Sequence, residues 1–366
     1  MKKAQTLLLA VLLVGALLRL QDLESKAWGV DEEFQAGLTN QSLQGILKDY
    51  KEEENPPLHT LLAWVFLNGW GSYYGVQLLS VLAGVLTIAF SWLFGRLAFG
   101  ERVGMLTGLL VALNPLLVFY SQHTRSYALM IMFFAAFLAA LAAFLARPHR
   151  KRNWVALGAT LSLLMYTHYS GILAFGVTAL LLVLKGRRER LWWWNGAPPL
   201  VGAGMSFAPW LANLGGHIQT QTGTGYVHSI ADLFYIFYKF GNGANMSFLF
   251  QAQPALLASS VLVNILFIAG IFLLVRGKRS SWPYLSFIPL SLLLGALVTI
   301  QISFFFLFRN FSYLIPLYLL PVAHALERAG RLKWPLLGLV IVMWAATIWL
   351  YYGVAARPDW NALIGL

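Results

Sequence analysis

Uncharged apolar stretches recur along the chain, at residues 7–18, 73–95, 103–119, 126–146, 153–167, 170–184, 197–211, 255–275, 282–308, 310–326 and 334–353. A straight span of the hydrocarbon core needs about 20 such residues, so several of these stretches are short for the task. Together they predict an all-α, polytopic transmembrane helical bundle of about 11 spans, with residues 1–366 as one transmembrane domain. Two polar intervals interrupt the pattern. In the first, 22–70, the spacing of Phe34, Leu38, Leu43, Ile46, Leu47 and Tyr50 predicts short amphipathic helices lying on the membrane surface. His59–Trp70 is apolar but too short to span, which predicts an interfacial helix. In the second, 212–254, the run DLFYIFYKF at 232–240 reads as a helix in the headgroup layer, where aromatic rings are stable. Lys2 and Lys3 before the run Leu7–Leu18 also fit a secretory signal, but no small-x-small cleavage site precedes Arg19. An uncleaved first span is the preferred reading.

Composition agrees with the pattern. Hydrophobic residues make up 59% of the 366 and charged residues 11%, with a mean hydropathy of +0.67. Roughly 25% charged residues is usual for soluble domains. Disordered, disulfide-scaffold and cytosolic-enzyme classes are excluded, and with no cysteine there is no thiolate metal site. The net charge of +12 sorts by membrane side. With the N-terminus cytoplasmic, the inner segments hold 18 of the 26 Lys and Arg and only Glu101, Glu189 and Glu327 of the 14 acids. That distribution follows the positive-inside rule, so the basic excess belongs to topology and implies no nucleic-acid partner. It also places both polar intervals and the C-terminus on the non-cytoplasmic side of a bacterial or archaeal plasma membrane.

None of the eleven stretches contains Asp, Glu, Lys or Arg, so a buried carboxylate of the ion-pump kind is missing. Chemistry-bearing residues gather instead at the outer ends of the spans. Asp31 and Glu32 lie in WGVDEE, where a carboxylate could take a proton from an acceptor hydroxyl or simply be solvated. His59 follows Pro56 and Pro57 in NPPLHTLL, where the two prolines suit a helix start. YSQHTRSYAL at 120–129 supplies Gln122, Arg125 and Tyr127. Arg125 has a planar, permanent charge that suits a phosphate, and snorkelling to lipid headgroups is its bland alternative. FRNFSYLIPLYLLP at 308–321 supplies Arg309 and Tyr313, and YTHYSG at 166–171 supplies His168, a residue type more often structural than reactive in such a turn. One face of the bundle thus carries acids, arginines, histidines and tyrosines. That suits a substrate with its tail in the bilayer and its phosphate at the surface.

The order WGVDEE, NPPL, YSQHTRSYAL, RNFSYLIPLYLLP and RPDWNAL (357–363) resembles the GT-C membrane glycosyltransferases. It is most similar to the glycosyltransferase family 39 type, which includes protein O-mannosyltransferases and lipid A aminoarabinose transferases. The resemblance implies a GT-C fold and an inverting transfer of a sugar from a polyprenyl-phosphate donor to a lipid, polysaccharide or protein hydroxyl on the non-cytoplasmic face. It implies that Asp31 is the catalytic base and that Arg125 contacts the donor phosphate. It implies that Glu32 either orients the acceptor or, with Asp31, helps hold a divalent cation such as Mg or Mn, which the family uses variably. Arg309, Tyr127, Tyr313, His168, Gln122 and His59 are the further candidates for substrate binding. Family members place an arginine or lysine after the acidic pair or before the prolines, where this chain has Glu33, Phe34 and Asn55; Lys48 and Lys51 are the available substitutes. The family often continues into an external soluble domain after a string like RPDWNAL, so the chain ending at Leu366 reads as a naturally short or a truncated form.

Two other functions fit a polytopic bundle. A polyprenyl-linked sugar flippase explains the outer arginines but predicts polar residues along a path through the membrane. A non-catalytic subunit of a glycan-assembly complex explains the bundle but gains nothing from Asp31 and Glu32. Neither the sugar nor the acceptor is readable from these residues.

Overall fold

The described residues of each of the eleven apolar stretches are mostly helical in the computed structural model of the protein, which describes residues 2–23, 29–49, 55–186, 191–214, 229–243, 253–277, 281–299 and 307–355. No strand occurs among the described residues. The helices are α1 (Lys2–Leu20), α2 (Val30–Thr39), α3 (Leu43–Asp49), α4 (Leu58–Trp70), α5 (Tyr73–Phe99), α6 (Glu101–Leu113), α7 (Pro115–Tyr120), α8 (Tyr127–Ala146) and α9 (Lys151–Thr167). They continue as α10 (Ser170–Gly186), α11 (Leu191–Phe207), α12 (Ile230–Asn242), α13 (Gln253–Arg276), α14 (Trp282–Leu285), α15 (Phe287–Thr299), α16 (Ile315–Arg328) and α17 (Lys333–Ala355). Five stretches, Tyr73–Phe99, Tyr127–Ala146, Pro254–Arg276, Trp282–Thr299 and Gly330–Gly353, are long and apolar enough to cross a membrane. Shorter apolar helices such as α1 and α10 pack beside them. The protein is an integral membrane helical bundle. The predicted surface elements are also helical: α2 and α3 in the first polar interval, α4 after the prolines, and α12 over the aromatic run.

Several apolar stretches are broken where the sequence reading ran them together, and two of these breaks bear on the candidate site. The stretch 103–119 divides into α6 and α7 at Asn114–Pro115. Pro115 has no N–H to continue the ladder, and Asn114 caps the new helix by accepting the Leu117 N–H at 3.1 Å. The break leaves the last carbonyls of α6 without intrahelical donors. Arg19, read from the sequence as an external flanking charge, fills them instead. It is fully buried and donates to Val111 and Ala112 carbonyls at 3.2 and 3.0 Å, to the Gly15 carbonyl at 2.9 Å and to Ser121 Oγ at 3.0 Å. The carbonyl end of a helix is a favourable place for a cation, which offsets the desolvation of this guanidinium. The second break is 310–326, where the 3-10 helix Phe308–Leu314 precedes α16 and Pro316 stands in the first turn of α16.

The core lies where α5, α6, α8 and α16 meet, around Phe94, Leu110, Phe134, Phe137, Phe287 and Phe311. α13 approaches α16 so closely that a side chain in place of Gly270 would collide with the Pro321 carbonyl. α12 is fastened across this bundle. Asn264 of α13 donates to the Phe237 carbonyl at 3.1 Å, and Trp344 of α17 donates to the Gly241 carbonyl at 3.0 Å. Its N-terminus is a capping box made by Ser229 and Asp232, and Gly243 ends it at φ 68°, a left-handed conformation that glycine adopts without steric cost.

Candidate functional site

Asp31 and Glu32 stand in the first turn of α2, where three consecutive acids meet the positive end of the helix. Neighbours on a helix point about 100° apart, and the two carboxylates have different surroundings. Glu32 is buried. Its Oε1 accepts the Thr124 N–H at 2.9 Å and the Thr124 hydroxyl at 3.2 Å and lies 2.7 Å from His123 Nδ1. Its Oε2 accepts the Gly29 N–H at 3.2 Å. Burial alone would raise the pKa of this carboxyl, but the charge and hydrogen bond of His123 and the Thr124 and Gly29 amides outweigh it and hold the group below its ordinary value. Asp31 points the other way. It is half exposed, and its Oδ2 lies 3.1 Å from Nη1 of Arg309.

The loop between α7 and α8 supplies the next residues. Its course is pinned by Ser80 of α5, which donates to the His123 carbonyl at 2.6 Å, and by the Glu32 contacts. Arg125 is 4% exposed and lies beside His59, whose ring is 2% exposed at the start of α4. Neither ring nitrogen of His59 has a hydrogen-bond partner among the described residues. Burial, with the Arg125 charge adding to it, pushes His59 down to about 3, so the imidazole is neutral at ordinary pH. Tyr127 packs on Tyr120 with 5.2 Å between ring centroids and on His168 at 5.9 Å. His168 Nδ1 accepts the Ser170 N–H at 3.1 Å, and the Ser170 hydroxyl donates to the Asn310 carbonyl at 2.8 Å. This last bond links the α9–α10 turn to the residue after Arg309.

A third cation belongs to the same region. Lys239 of α12 is 6% exposed and sits over the rings of Tyr235 and Phe308, 5.0 and 5.6 Å from their centroids. Tyr235 in turn meets Phe308 edge to face at 5.7 Å. Burial lowers Lys239 to about 8. The sequence reading noted Lys239 only as part of an aromatic patch; no arginine lies near it in the sequence, and Phe308 reaches it only through the fold. Leu233 and Phe237 of the same helix close one end of an apolar groove of about 1040 Å³. The groove runs between α13 and α15, past Ile271, Val275, Ile288 and Leu292. α12 therefore lies between an apolar groove on one side and the Phe308–Arg309 segment on the other.

Not every candidate converges. Gln122 is occupied with the scaffold: its amide donates to the Arg19 and Gln21 carbonyls at 2.9 and 2.8 Å and its Oε1 accepts the Tyr351 hydroxyl at 2.8 Å. Tyr313 is fully buried against Phe134, ring centroids 4.7 Å apart, inside the core. Asp31 and Glu32 also do not fit a shared metal. Glu32 is spent on Thr124, His123 and Gly29, Asp31 is paired with Arg309, and no group of three or more His, Asp or Glu able to hold a metal ion occurs among the described residues. Lys51 and the string RPDWNAL lie outside the described residues.

Residues 54–214 match the family model of the dolichyl-phosphate-mannose-protein mannosyltransferases. Among solved structures, the chain is similar to ArnT from Cupriavidus metallidurans bound to undecaprenyl phosphate, with a TM-score of 0.63 at 18% identity, over 91% of this chain and 63% of that one. It is similar to AglB, the oligosaccharyltransferase of Archaeoglobus fulgidus in complex with an inhibitory peptide and a dolichol-phosphate, with a TM-score of 0.58 at 15% identity, over 95% of this chain and 55% of that one. The Pmt1-Pmt2 protein O-mannosyltransferase complex of S. cerevisiae bound to its sugar donor matches with a TM-score of 0.50 at 16% identity, over 65% of this chain and 36% of that one. No curated protein matches the chain in sequence. The chain spans less than two thirds of the length of these structural relatives. It has the GT-C fold that the order of its motifs implied.

Proposed function

We propose that this GT-C chain is an inverting glycosyltransferase that moves a sugar from a polyprenyl-phosphate donor to an acceptor hydroxyl on the non-cytoplasmic face, with its N-terminus in the cytoplasm. The observation that carries the reading is the Asp31–Arg309 pair at 3.1 Å, a half-exposed carboxylate next to a guanidinium, with Lys239 and the apolar groove adjoining. An alcohol is a poor nucleophile until its proton is taken. In this reading Asp31 accepts that proton as the acceptor oxygen bonds to the anomeric carbon. The bond from that carbon to the phosphate oxygen breaks on the opposite side, and its electron pair leaves with the phosphate. Arg309, Arg125 and Lys239 are the cations that meet the developing charge. The groove beside α12 suits the polyprenyl tail, since it is lined almost wholly by apolar side chains. Glu32 acts by position, tying α2 to the α7–α8 loop, and no step runs through a metal. The flippase alternative lacks support here: Arg19, a charge inside the bundle, is engaged by carbonyls and lines no path.

The test uses the purified chain and a panel of polyprenyl-phosphate sugars. Thermal stabilisation by the lipid, with sugar-dependent differences, is the expected result. Asp31→Asn should keep that stabilisation while transfer falls by about 10²–10⁴-fold, the usual contribution of a general base. Stabilisation by none of the lipids would remove the donor assignment.

A further inference from the structure

We infer that Arg309 restrains Asp31 until a donor phosphate arrives and then turns to the phosphate, so that activation of the acceptor waits for the donor. The inference rests on the proposed glycosyl transfer and specifies its order of events. Asp31 and Arg309 are bonded at 3.1 Å, yet their side chains are 51% and 39% exposed. An ion pair in contact with water is held weakly and is exchanged at little cost. An arginine meets a phosphate with two parallel charge-assisted bonds, which gives the newcomer the advantage. The other groups near Asp31 are poor candidates for such an exchange. Arg125 is 4% exposed, and Glu32 is fixed by Thr124, His123 and Gly29.

The architecture also says where the phosphate would come from. Phe308, the residue before Arg309, is held against Tyr235 and Lys239 of α12. The same helix closes the apolar groove with Leu233 and Phe237. A lipid tail lying in that groove brings its head to the α12 end, beside Arg309. While Asp31 is bonded to Arg309 its Oδ2 is occupied, and losing that partner at the moment of donor binding opens this oxygen to the acceptor hydroxyl. Arg309 is thus a positioning residue for Asp31 before it is a phosphate ligand.

Labelling of carboxylates by a water-soluble carbodiimide and a small amine, read by peptide mass spectrometry, tests this on the full chain in detergent. Exposed Glu33 on the same helix is the internal reference. Undecaprenyl phosphate should raise labelling of Asp31 relative to Glu33 by up to about fivefold, the range open to a surface ion pair. Arg309→Gln should show the raised level with or without lipid, and Arg309→Lys should restore protection. Unchanged or reduced labelling while a thermal shift shows the lipid bound would overturn the handover but leave the donor assignment standing. Wild-type labelling in Arg309→Gln would overturn it as well. No thermal shift with the lipid would remove the donor assignment and this inference together.

Discussion

The Glu32 carboxylate accepts the backbone N–H of Thr124 at 2.9 Å, and this one bond ties the residue beside Asp31 to the residue beside Arg125. Glu32 and Thr124 are 92 positions apart in the chain. Through its Glu32 neighbour the candidate base is thereby linked to the loop that carries a candidate phosphate arginine. Glu32→Gln keeps the shape but turns an acceptor oxygen into a donor amide facing Thr124 and His123. Leaving buried groups unsatisfied costs roughly 1–3 kcal/mol each. The variant should melt lower than wild type and transfer more slowly, with substrate-independent loss of turnover. A variant with wild-type melting and rate would show that Glu32 is not the strap.

The pH dependence of that strap has a definite sign. Glu32 has a folded pKa below its unfolded one. Its contribution to stability is complete above the unfolded value, about 4.3, and is lost as pH falls through the lower folded value. Melting of wild type should therefore drop below about pH 4 more steeply than melting of Glu32→Gln. Parallel curves for the two proteins would refute the carboxylate's part.

His59 sets a second pH window. It is held to about 3 when folded, against an ordinary 6.5, because it is buried next to Arg125. The unfolded chain binds the proton first as pH falls. Stability is therefore complete above about 6.5 and declines toward about 3. His59→Leu should gain in melting temperature relative to wild type between pH 7.5 and pH 4.5. An unchanged difference between the two pH values would mean that His59 titrates normally.

Much of the bundle was legible in the sequence because apolar length is itself the signal for helices that meet lipid. Helix α12 was legible for a related reason: its aromatic run sits behind a Ser229–Asp232 cap. The breaks were not, since hydropathy does not register the missing N–H of Pro115. Arg19 read as a flanking charge because nothing local reveals that α6 ends one turn away with open carbonyls. Arg309 and Tyr313 read alike, as residues at the outer mouth of one span, and four positions apart they would share a face of an α-helix. They lie in a 3-10 helix, with about three residues per turn, and the same spacing puts them about a third of a turn apart. Arg309 accordingly reaches Asp31 while Tyr313 enters the core against Phe134. His123 and Thr124 sat inside a quoted motif without being singled out, because their partner Glu32 is remote in sequence and reachable only through the fold.

Gln122 gives a prediction that separates scaffold from site. Its amide joins the end of α1 to Tyr351 of α17. Tyr351→Phe removes one bond and should cost about 0.5–1.5 kcal/mol of stability, with lipid affinity unchanged. Denaturation and lipid titration on the same sample check both halves. A loss of lipid affinity without a loss of stability would return Gln122 to the binding site.

Lys239 offers the sharpest test of the phosphate reading, because its charge is adjustable near neutral pH. Its pKa of about 8 comes from burial among aromatic rings, so about half of the side chains are charged at pH 8 and about a tenth at pH 9. A phosphate needs the charged form. Affinity for undecaprenyl phosphate should then fall by up to about tenfold between pH 7 and pH 9, with the lipid's own charge constant over most of that range. Lys239→Arg keeps its charge throughout and should flatten the curve, while Lys239→Met should bind weakly at both pH values. Salt should weaken the wild type more than the methionine variant, which has one cation fewer at the phosphate. A pH-independent wild-type affinity, equal to that of Lys239→Met, would place Lys239 among the aromatic packing of α12 and leave Arg309 and Arg125 as the donor's cations.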